Sequence, residues 1–266
     1  DDFKQLLLSG QPVIDVRAPV EFARGAVPGS KNLPILDDVN REQIGICYKQ
    51  FGPDAAERLG YDLVSGEIRE AVIANWISHL RAYPQASLYC FRGGQRSKIA
   101  SQWLASAGFD VPRVEGGFKQ IRQFLIQQFT TLPPIVILSG QTGSGKTAFL
   151  QELERSIDLE GLANHRGSAF GSYLTPQPTQ IDFENALAVQ LLRVELGDNV
   201  LLEDESRLIG KINLPVPLQQ KMAQAPIILL EESVSARTNR IFDEYIVSQW
   251  QEYQRCLGLY GYVAFE

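Results

Sequence analysis

Ile135-Val136-Ile137-Leu138-Ser139-Gly140-Gln141-Thr142-Gly143-Ser144-Gly145-Lys146-Thr147 joins an apolar run to a glycine-rich turn. The four apolar residues read as a buried strand, and the pattern from Lys146 predicts a helix reaching Arg155. The turn satisfies GxxxxGK[ST] in full, with the preceding strand and following helix that this motif requires. Backbone amides of Gly140, Gln141, Thr142, Gly143, Ser144 and Gly145 are suited to cradle a di- or triphosphate. Lys146 adds a point charge, and Thr147 can hold magnesium.

Downstream, Val200-Leu201-Leu202 reads as a strand running into Glu203, Asp204 and Glu205, and Ile227 to Leu230 reads as another. Acids at the end of such a strand suit a magnesium ion facing Thr147. Spacing does not choose among the three; Asp204 is taken as the ligand, and a solvated acidic turn is the plain alternative. No guanine-reading Asn-Lys-x-Asp run is present, which speaks against a GTPase. A phosphate loop alone does not say what is done with the phosphates.

Upstream, Thr130-Thr131-Leu132-Pro133-Pro134 reads as a linker, because tandem prolines cannot continue a helix. It divides the chain into domains at 1–131 and 132–266. Only 135 residues, 132–266, follow the division, and Phe265-Glu266 falls within what reads as a last strand. The second domain is therefore expected to be C-terminally incomplete. The first residue is Asp1 and the only methionine is Met222, so the N-terminus is also expected to be trimmed.

Before the linker, Pro12 to Val16 and Ser87 to Cys90 read as strands, and Ser97 to Ala107 as a helix stopped by Gly108. Strands alternating with helices predict a parallel sheet covered on both faces, so both halves are α/β. Between the second of these strands and its helix stands Cys90-Phe91-Arg92-Gly93-Gly94-Gln95-Arg96-Ser97. Such a turn directs successive amides into an anion nest at a helix N-terminus. A cysteine there has its thiolate favoured by the helix dipole and by Arg92 and Arg96, while Gly93 and Gly94 let the backbone curl around the sulfur. Cys90 is thus a candidate nucleophile carrying a transferable sulfur or selenium, the plain alternative being a buried core cysteine. The same residues fit the Cys-x5-Arg pattern of cysteine-dependent phosphatases. Cys47 and Cys256 lack such a setting.

The hydrophobic fraction of 44% and charged fraction of 21% suit a globular chain. No apolar run approaches the roughly 18 to 20 residues that span a bilayer, and no signal peptide opens the sequence. Three scattered cysteines fit free thiols in a reducing, cytoplasmic setting. Two histidines and no CxxC pair speak against structural zinc. The net charge of −6 is unevenly spread: residues 1–130 hold 15 Lys+Arg against 14 Asp+Glu, leaving 10 against 17 for the rest. A nucleic-acid surface on the first half is therefore not excluded, and composition does not reveal one.

Asp15-Val16-Arg17-x-x-x-Glu21-Phe22-x-x-Gly25-Ala26-Val27-Pro28-Gly29-Ser30-x-Asn32-Leu33-Pro34 resembles the opening motif of rhodaneses, which related phosphatases share in part. Asp15 and Arg17 read equally as site residues or as a structural ion pair. Tyr48-Lys49-Gln50, the Cys90 run, Glu115-Gly116-Gly117-Phe118-Lys119 and the phosphate loop, taken with that motif, resemble the tRNA 2-selenouridine synthases. More specific are Asn164-His165-Arg166-Gly167-Ser168-Ala169-Phe170-Gly171, Pro176-Gln177-Pro178 with Gln180, and Glu203-Asp204-Glu205-Ser206-Arg207-x-Ile209-Gly210.

The resemblance implies a rhodanese-like domain followed by a P-loop NTPase-like domain. It further implies a reaction on tRNA bearing 2-thiouridine at the wobble position: alkylation of sulfur by geranyl diphosphate, then replacement of S-geranyl by selenium from selenophosphate. Cys90 would carry selenium as a selenylsulfide, Arg92 and Arg96 would bind selenophosphate, and the P-loop would hold the diphosphate. His165, Arg166, Ser168 and Arg207 are further candidates from the specific runs. No tightly bound cofactor is implied beyond optional magnesium; a selenophosphate-supplying enzyme is an optional partner. The alternatives are a sulfurtransferase or cysteine phosphatase regulated by a nucleotide-binding domain, and a nucleotide-binding adaptor in which Cys90 is a spectator.

Overall fold

The computed structural model describes residues 2–168, 171–194 and 197–257. The expected last strand at 265–266 lies outside them, as do Ala169 and Phe170 and the side chain of Cys256. Two compact units, Asp1–Ile126 and Gln127–Glu266, divide the chain.

The first unit is built on three parallel strands in the order β2-β1-β3: β1 Val13–Asp15, β2 Ser30–Asn32 and β3 Ser87–Tyr89. Every residue of β1 and β3 is buried, as expected of central parallel strands covered on both faces. The helices are α1 Phe3–Leu8, α2 Pro19–Phe22, α3 Asp38–Phe51, α4 Pro53–Leu63, α5 Gly66–Ala82, α6 Gln95–Ser106 and α7 Gly117–Gln127. Ile14, Leu88, Trp76, Trp103 and Leu104 centre the core, and the Trp76 indole donates to the Leu33 carbonyl at 2.8 Å. Three successive helices, α3 to α5, occupy the span between β2 and β3. The first starts on Asp37, whose carboxylate accepts from the Asn40 amide at 2.7 Å. It ends at Gly52, where φ of +84° turns the chain and Pro53 opens α4.

The second unit carries a four-stranded parallel sheet in the order β5-β6-β4-β9. Its strands are β4 Ile135–Ser139, β5 Ser156–Ile157, β6 Val200–Glu203 and β9 Ile227–Leu229; a small antiparallel pair, β7 Leu208–Ile209 and β8 Ile212–Asn213, stands apart. The helices are α8 Lys146–Gln151, α9 Leu159–Leu162, α10 Gln180–Arg193, α11 Val216–Met222, α12 Val234–Phe242 and α13 Ser248–Leu257. A π-helical stretch, Asp243–Val247, joins the last two. A short 3-10 turn at Gln128–Thr130 lies against α10 and α11, with Phe129 buried.

One expectation fails here. The helix predicted over Lys146–Arg155 ends at Gln151. The Ser156 hydroxyl lies within donor reach of the Leu150 and Leu153 carbonyls, at 2.5 and 2.8 Å. This side-chain competition turns the chain into β5 instead.

Candidate functional site

Cys90 follows β3 directly, and α6 begins five residues later at Gln95. The loop between is shaped by Glu115-Gly116-Gly117-Phe118-Lys119. Phe118 and Lys119 amides donate to the Cys90 and Phe91 carbonyls, each at 2.9 Å. Gly93 has φ of +65° and Gly117 φ of +56°, and a Cβ on Gly117 would lie 2.2 Å from the Cys90 carbonyl oxygen. The two segments approach this closely only because no side chain stands between them.

Cys90 is 4% exposed and belongs to the hydrophobic core cluster. Its thiol donates to Ser97 Oγ at 3.3 Å, and that hydroxyl donates to the Gly94 carbonyl at 3.0 Å, so the sulfur is held against the first turn of α6. The two arginines of the loop differ in their surroundings. Arg92 is exposed, with its guanidinium 5.8 Å from the Phe91 ring. Arg96 is held by Glu21: Nη2 donates to Oε1 at 3.1 Å, and Nη1 donates to Oε2. Burial favours the neutral acid, but Arg96, the Ala18 amide and Arg41 outweigh it and hold the Glu21 carboxyl below the usual range. Glu21 belongs to the opening motif, yet its partnership with Arg96 was not readable from a separation of 75 residues.

Asp15 and Arg17 are fully buried and joined by three side-chain hydrogen bonds of 2.6 to 3.0 Å. Arg17 also donates to the Gly25 carbonyl at 2.9 Å, and its guanidinium lies 4.0 Å from the Phe118 ring centre. Asn32 closes the arrangement by donating to both the Asp15 and Arg17 carbonyls. This pair ties the opening motif to the helix that supports the cysteine loop, with no surface left for a ligand.

In the second unit, Gly140 to Gly145 connect β4 to α8. Lys146 Nζ donates to the Gly140 carbonyl at 2.9 Å, folding the lysine back over the loop. Gly143 and Gly145 have φ of +78° and +93°, which favour glycine. The sequence pairs Thr147 with Asp204; in the structure the carboxylate facing Thr147 Oγ1 is Glu203, at 3.4 Å. Asp204 instead accepts from Ser139 Oγ at 2.6 Å. Among the described residues no group of three or more His, Cys, Asp and Glu is arranged to hold a metal. Magnesium commonly takes only one or two protein ligands beside phosphates and water, so Thr147 and Glu203 fit it.

Glu203 leads to the rest of the candidates. Its second oxygen accepts from the Glu160 amide at 3.0 Å, and burial pushes its carboxyl up to about 7. Burial, then the hydrogen bond and charge of Glu205, push Glu160 up to about 8. Glu160 carries no mark in the sequence. Its carbonyl accepts from the His165 amide at 3.0 Å, and His165 Nδ1 accepts from the Gly167 amide at 3.1 Å. Burial, then the charge of Arg166, lower the His165 pKa, which suits this neutral acceptor. The Arg166 guanidinium lies 4.0 Å from the Tyr173 ring centre and 5.6 Å from that of Tyr245. Tyr245, within the π-helical stretch, donates to Ser168 Oγ at 2.8 Å. Arg207 is exposed.

Gln177 and Gln180 prove to be latches. Gln177 Nε2 donates to the Ala163 and Ile209 carbonyls, and its Oε1 accepts from Lys211. Gln180 exchanges two bonds with the Asn213 backbone. Together they clamp the β7–β8 hairpin beside the His165 turn.

A family model described as tRNA 2-selenouridine synthase AAA domain matches residues 133–265, and one described as Rhodanese-like domain matches residues 1–123. A tRNA 2-selenouridine synthase of Shewanella sp. (strain MR-7) is 49% identical over 269 residues, spanning 99% of this chain and 73% of its own. The chain belongs to the tRNA 2-selenouridine synthase family. Another family member, from Pseudomonas fluorescens, is 48% identical over 269 residues, covering 99% of this chain and 74% of its own. A solved structure titled as the N-terminal domain of an ATP/GTP binding protein from Clostridium difficile 630 is 28% identical. It covers 44% of this chain and 90% of its own at a TM-score of 0.41. Membership accounts for the order of rhodanese-like unit and P-loop unit in one α/β chain. Among the described residues, no helix is long and apolar enough to cross a membrane.

Proposed function

We propose that this chain modifies tRNA as a 2-selenouridine synthase, in two steps carried by its two anion-receiving loops. The observation supporting this reading best is their joint presence: a cysteine loop set by Gly117 and a complete phosphate loop, in a chain similar over its full length to synthases of that name.

In the first step, the sulfur of a wobble 2-thiouridine attacks C1 of geranyl diphosphate. A C–S bond forms, the C–O bond breaks, diphosphate leaves, and the uridine N3 proton is lost. The P-loop amides and Lys146 stabilise the leaving diphosphate, as donors aimed at developing charge do elsewhere. Thr147 and Glu203 are the residues that would hold a magnesium ion, which would add further charge neutralisation. No nucleotide hydrolysis is needed.

In the second step, selenophosphate supplies the selenium. Selenium bonds to C2 of the base, geranylthiol leaves, and the phosphorus of the donor departs as phosphate with water supplying its oxygen. Cys90 receives the donor, Arg92 is an exposed cation of its loop, and Arg96 lines it in partnership with Glu21. A cytoplasmic setting and an enzyme that supplies selenophosphate belong to the same proposal.

The test separates the loops. Lys146→Ala should block geranylation, whereas Cys90→Ser should abolish selenation and spare geranylation. Normal geranylation by Lys146→Ala would remove the P-loop assignment, and normal selenation by Cys90→Ser would remove the cysteine's.

A further inference from the structure

The phosphate loop is held from outside by α12. Arg237 donates from Nε to the Thr142 carbonyl at 3.1 Å and from Nη1 to the Gln141 side-chain oxygen. Arg240, almost one turn on, donates to the Gly143 carbonyl, and its Nη2 lies 3.7 Å from Glu232. The helix is seated closely: a Cβ on Gly143 would lie 2.7 Å from the Arg237 carbonyl oxygen, and one on Gly145 would lie 3.3 Å from Arg240 Cζ. Gly143 and Gly145 therefore do more than permit the loop's turn. They make room for the helix that brings two guanidinium groups to it.

A pocket of about 500 Å3 opens beside this contact, lined by residues including Gln141, Ser144, Leu230, Glu232 and Arg237. Ser144 is 5% exposed, and its hydroxyl has no hydrogen-bond partner among the described residues. A buried hydroxyl left unpaired calls for an explanation, and here it lies on the wall of a pocket beside an anion loop. The current partners of the arginines are mostly neutral oxygens. A phosphate adds a full negative charge opposite the guanidinium and matches its forked geometry, which a single neutral carbonyl does not.

We propose that Arg237 and Arg240 are part of the diphosphate site, resting on loop oxygens in the free chain and turning onto phosphate oxygens when the diphosphate binds. Ser144 supplies a third donor from the pocket wall. The inference rests on the diphosphate reading of the P-loop given above and assigns that site a second wall, contributed by α12.

The experiment is calorimetric titration of the whole chain with inorganic pyrophosphate and magnesium, for the wild type, Arg237→Gln, Arg240→Gln and Lys146→Ala. Each arginine variant is expected to raise Kd at least tenfold while the ligand-free melting temperature stays near that of the wild type. A Kd within twofold of the wild type overturns the role of that arginine; a lowered melting temperature with unchanged affinity shows it to be a docking contact only. Should Arg237→Gln or Arg240→Gln fail to fold, Arg237→Lys or Arg240→Lys replaces it. Lysine keeps the charge and loses the fork, so at least a threefold rise in Kd is expected, and an unchanged Kd again overturns the role. If the wild type itself does not bind pyrophosphate, the diphosphate reading falls; if it binds, Lys146→Ala weakens binding and both arginine variants bind as the wild type does, this inference alone falls.

Discussion

Glu21 and Arg96, separated by 75 positions, meet as a two-point carboxylate–guanidinium pair at the start of the helix that follows Cys90. The pair is mostly buried, at 13% and 24% side-chain exposure, and the Ala18 amide also donates to Glu21. One of the two arginines beside the cysteine is thus held in place by the opening motif. An anion reaching this loop meets an exposed Arg92, with no carboxylate partner among the described residues, and an Arg96 already oriented.

Glu21→Gln should cost about 1–2 kcal/mol at pH 7, the usual scale for removing a charged hydrogen-bond partner. The folded pKa of Glu21 is depressed from 4.5, so the contribution is fully present above that value and lost as pH falls through the lower folded pKa. Urea titrations at pH 7 and below pH 4 should show the gap between wild type and variant closing on the acid side. A gap independent of pH would contradict the ion pair.

Gly117→Ala should be far more damaging than Gly29→Ala. Both glycines have positive φ, so both substitutions carry the left-handed strain of about 1–2 kcal/mol. Only at 117 would the new Cβ meet backbone, 2.2 Å from the Cys90 carbonyl oxygen and 2.5 Å from the Gly93 nitrogen; at 29 nothing lies within 4 Å. Thermal melting should separate the two by several degrees, with selenation lost only in the first. Equal melting temperatures would mean that the cysteine loop and the Gly117 turn are not in contact.

The carboxylates under the phosphate loop give the opposite pH dependence to Glu21. Glu160 at about 8 and Glu203 at about 7 both lie above their ordinary 4.5. Between about 4.5 and 8 the folded chain therefore binds more protons than the unfolded one, and this cluster loses stability as pH rises. Glu160→Gln removes one of the groups. Its melting temperature relative to the wild type should climb between pH 5 and pH 8.5, and a constant difference would count against the shared burial of Glu160 and Glu205.

Gln177→Ala should unlatch the β7–β8 hairpin. Three hydrogen bonds to backbone are lost, at about 1 kcal/mol each, less whatever water restores. A loss of about 2 kcal/mol in urea unfolding is expected, with amide exchange accelerating at Ile209 and Lys211. Unchanged exchange there would show the hairpin to be held by other means.

Both loops were legible because each is a contiguous run bounded by an apolar strand and a helix. Cys90 to Ser97 and Gly140 to Thr147 carry their geometry in glycine spacing. The parallel character of the sheets around them followed from the same alternation, whereas the strand orders β2-β1-β3 and β5-β6-β4-β9 did not. What escaped depends on pairings across long separations. Nothing near Glu21 indicates Arg96, and nothing near Ser139 indicates that it draws Asp204 away from Thr147 and leaves Glu203 there. The helices α3 to α5 escaped as well. α3 buries none of its residues and α5 only Trp76 and Leu80, so in these two the apolar stripe that marks a buried helix face is weak. Gln177 and Gln180, recognisable only through resemblance, turn out to act on backbone, which no sequence spacing announces.

The most direct test uses an anticodon stem-loop RNA carrying wobble 2-thiouridine, incubated with the chain and geranyl diphosphate and then with selenophosphate, with nucleoside masses read after each addition. S-geranyl-2-thiouridine is expected after the first addition and 2-selenouridine after the second. Bound but unmodified 2-thiouridine after both additions would contradict the proposed two-step reaction.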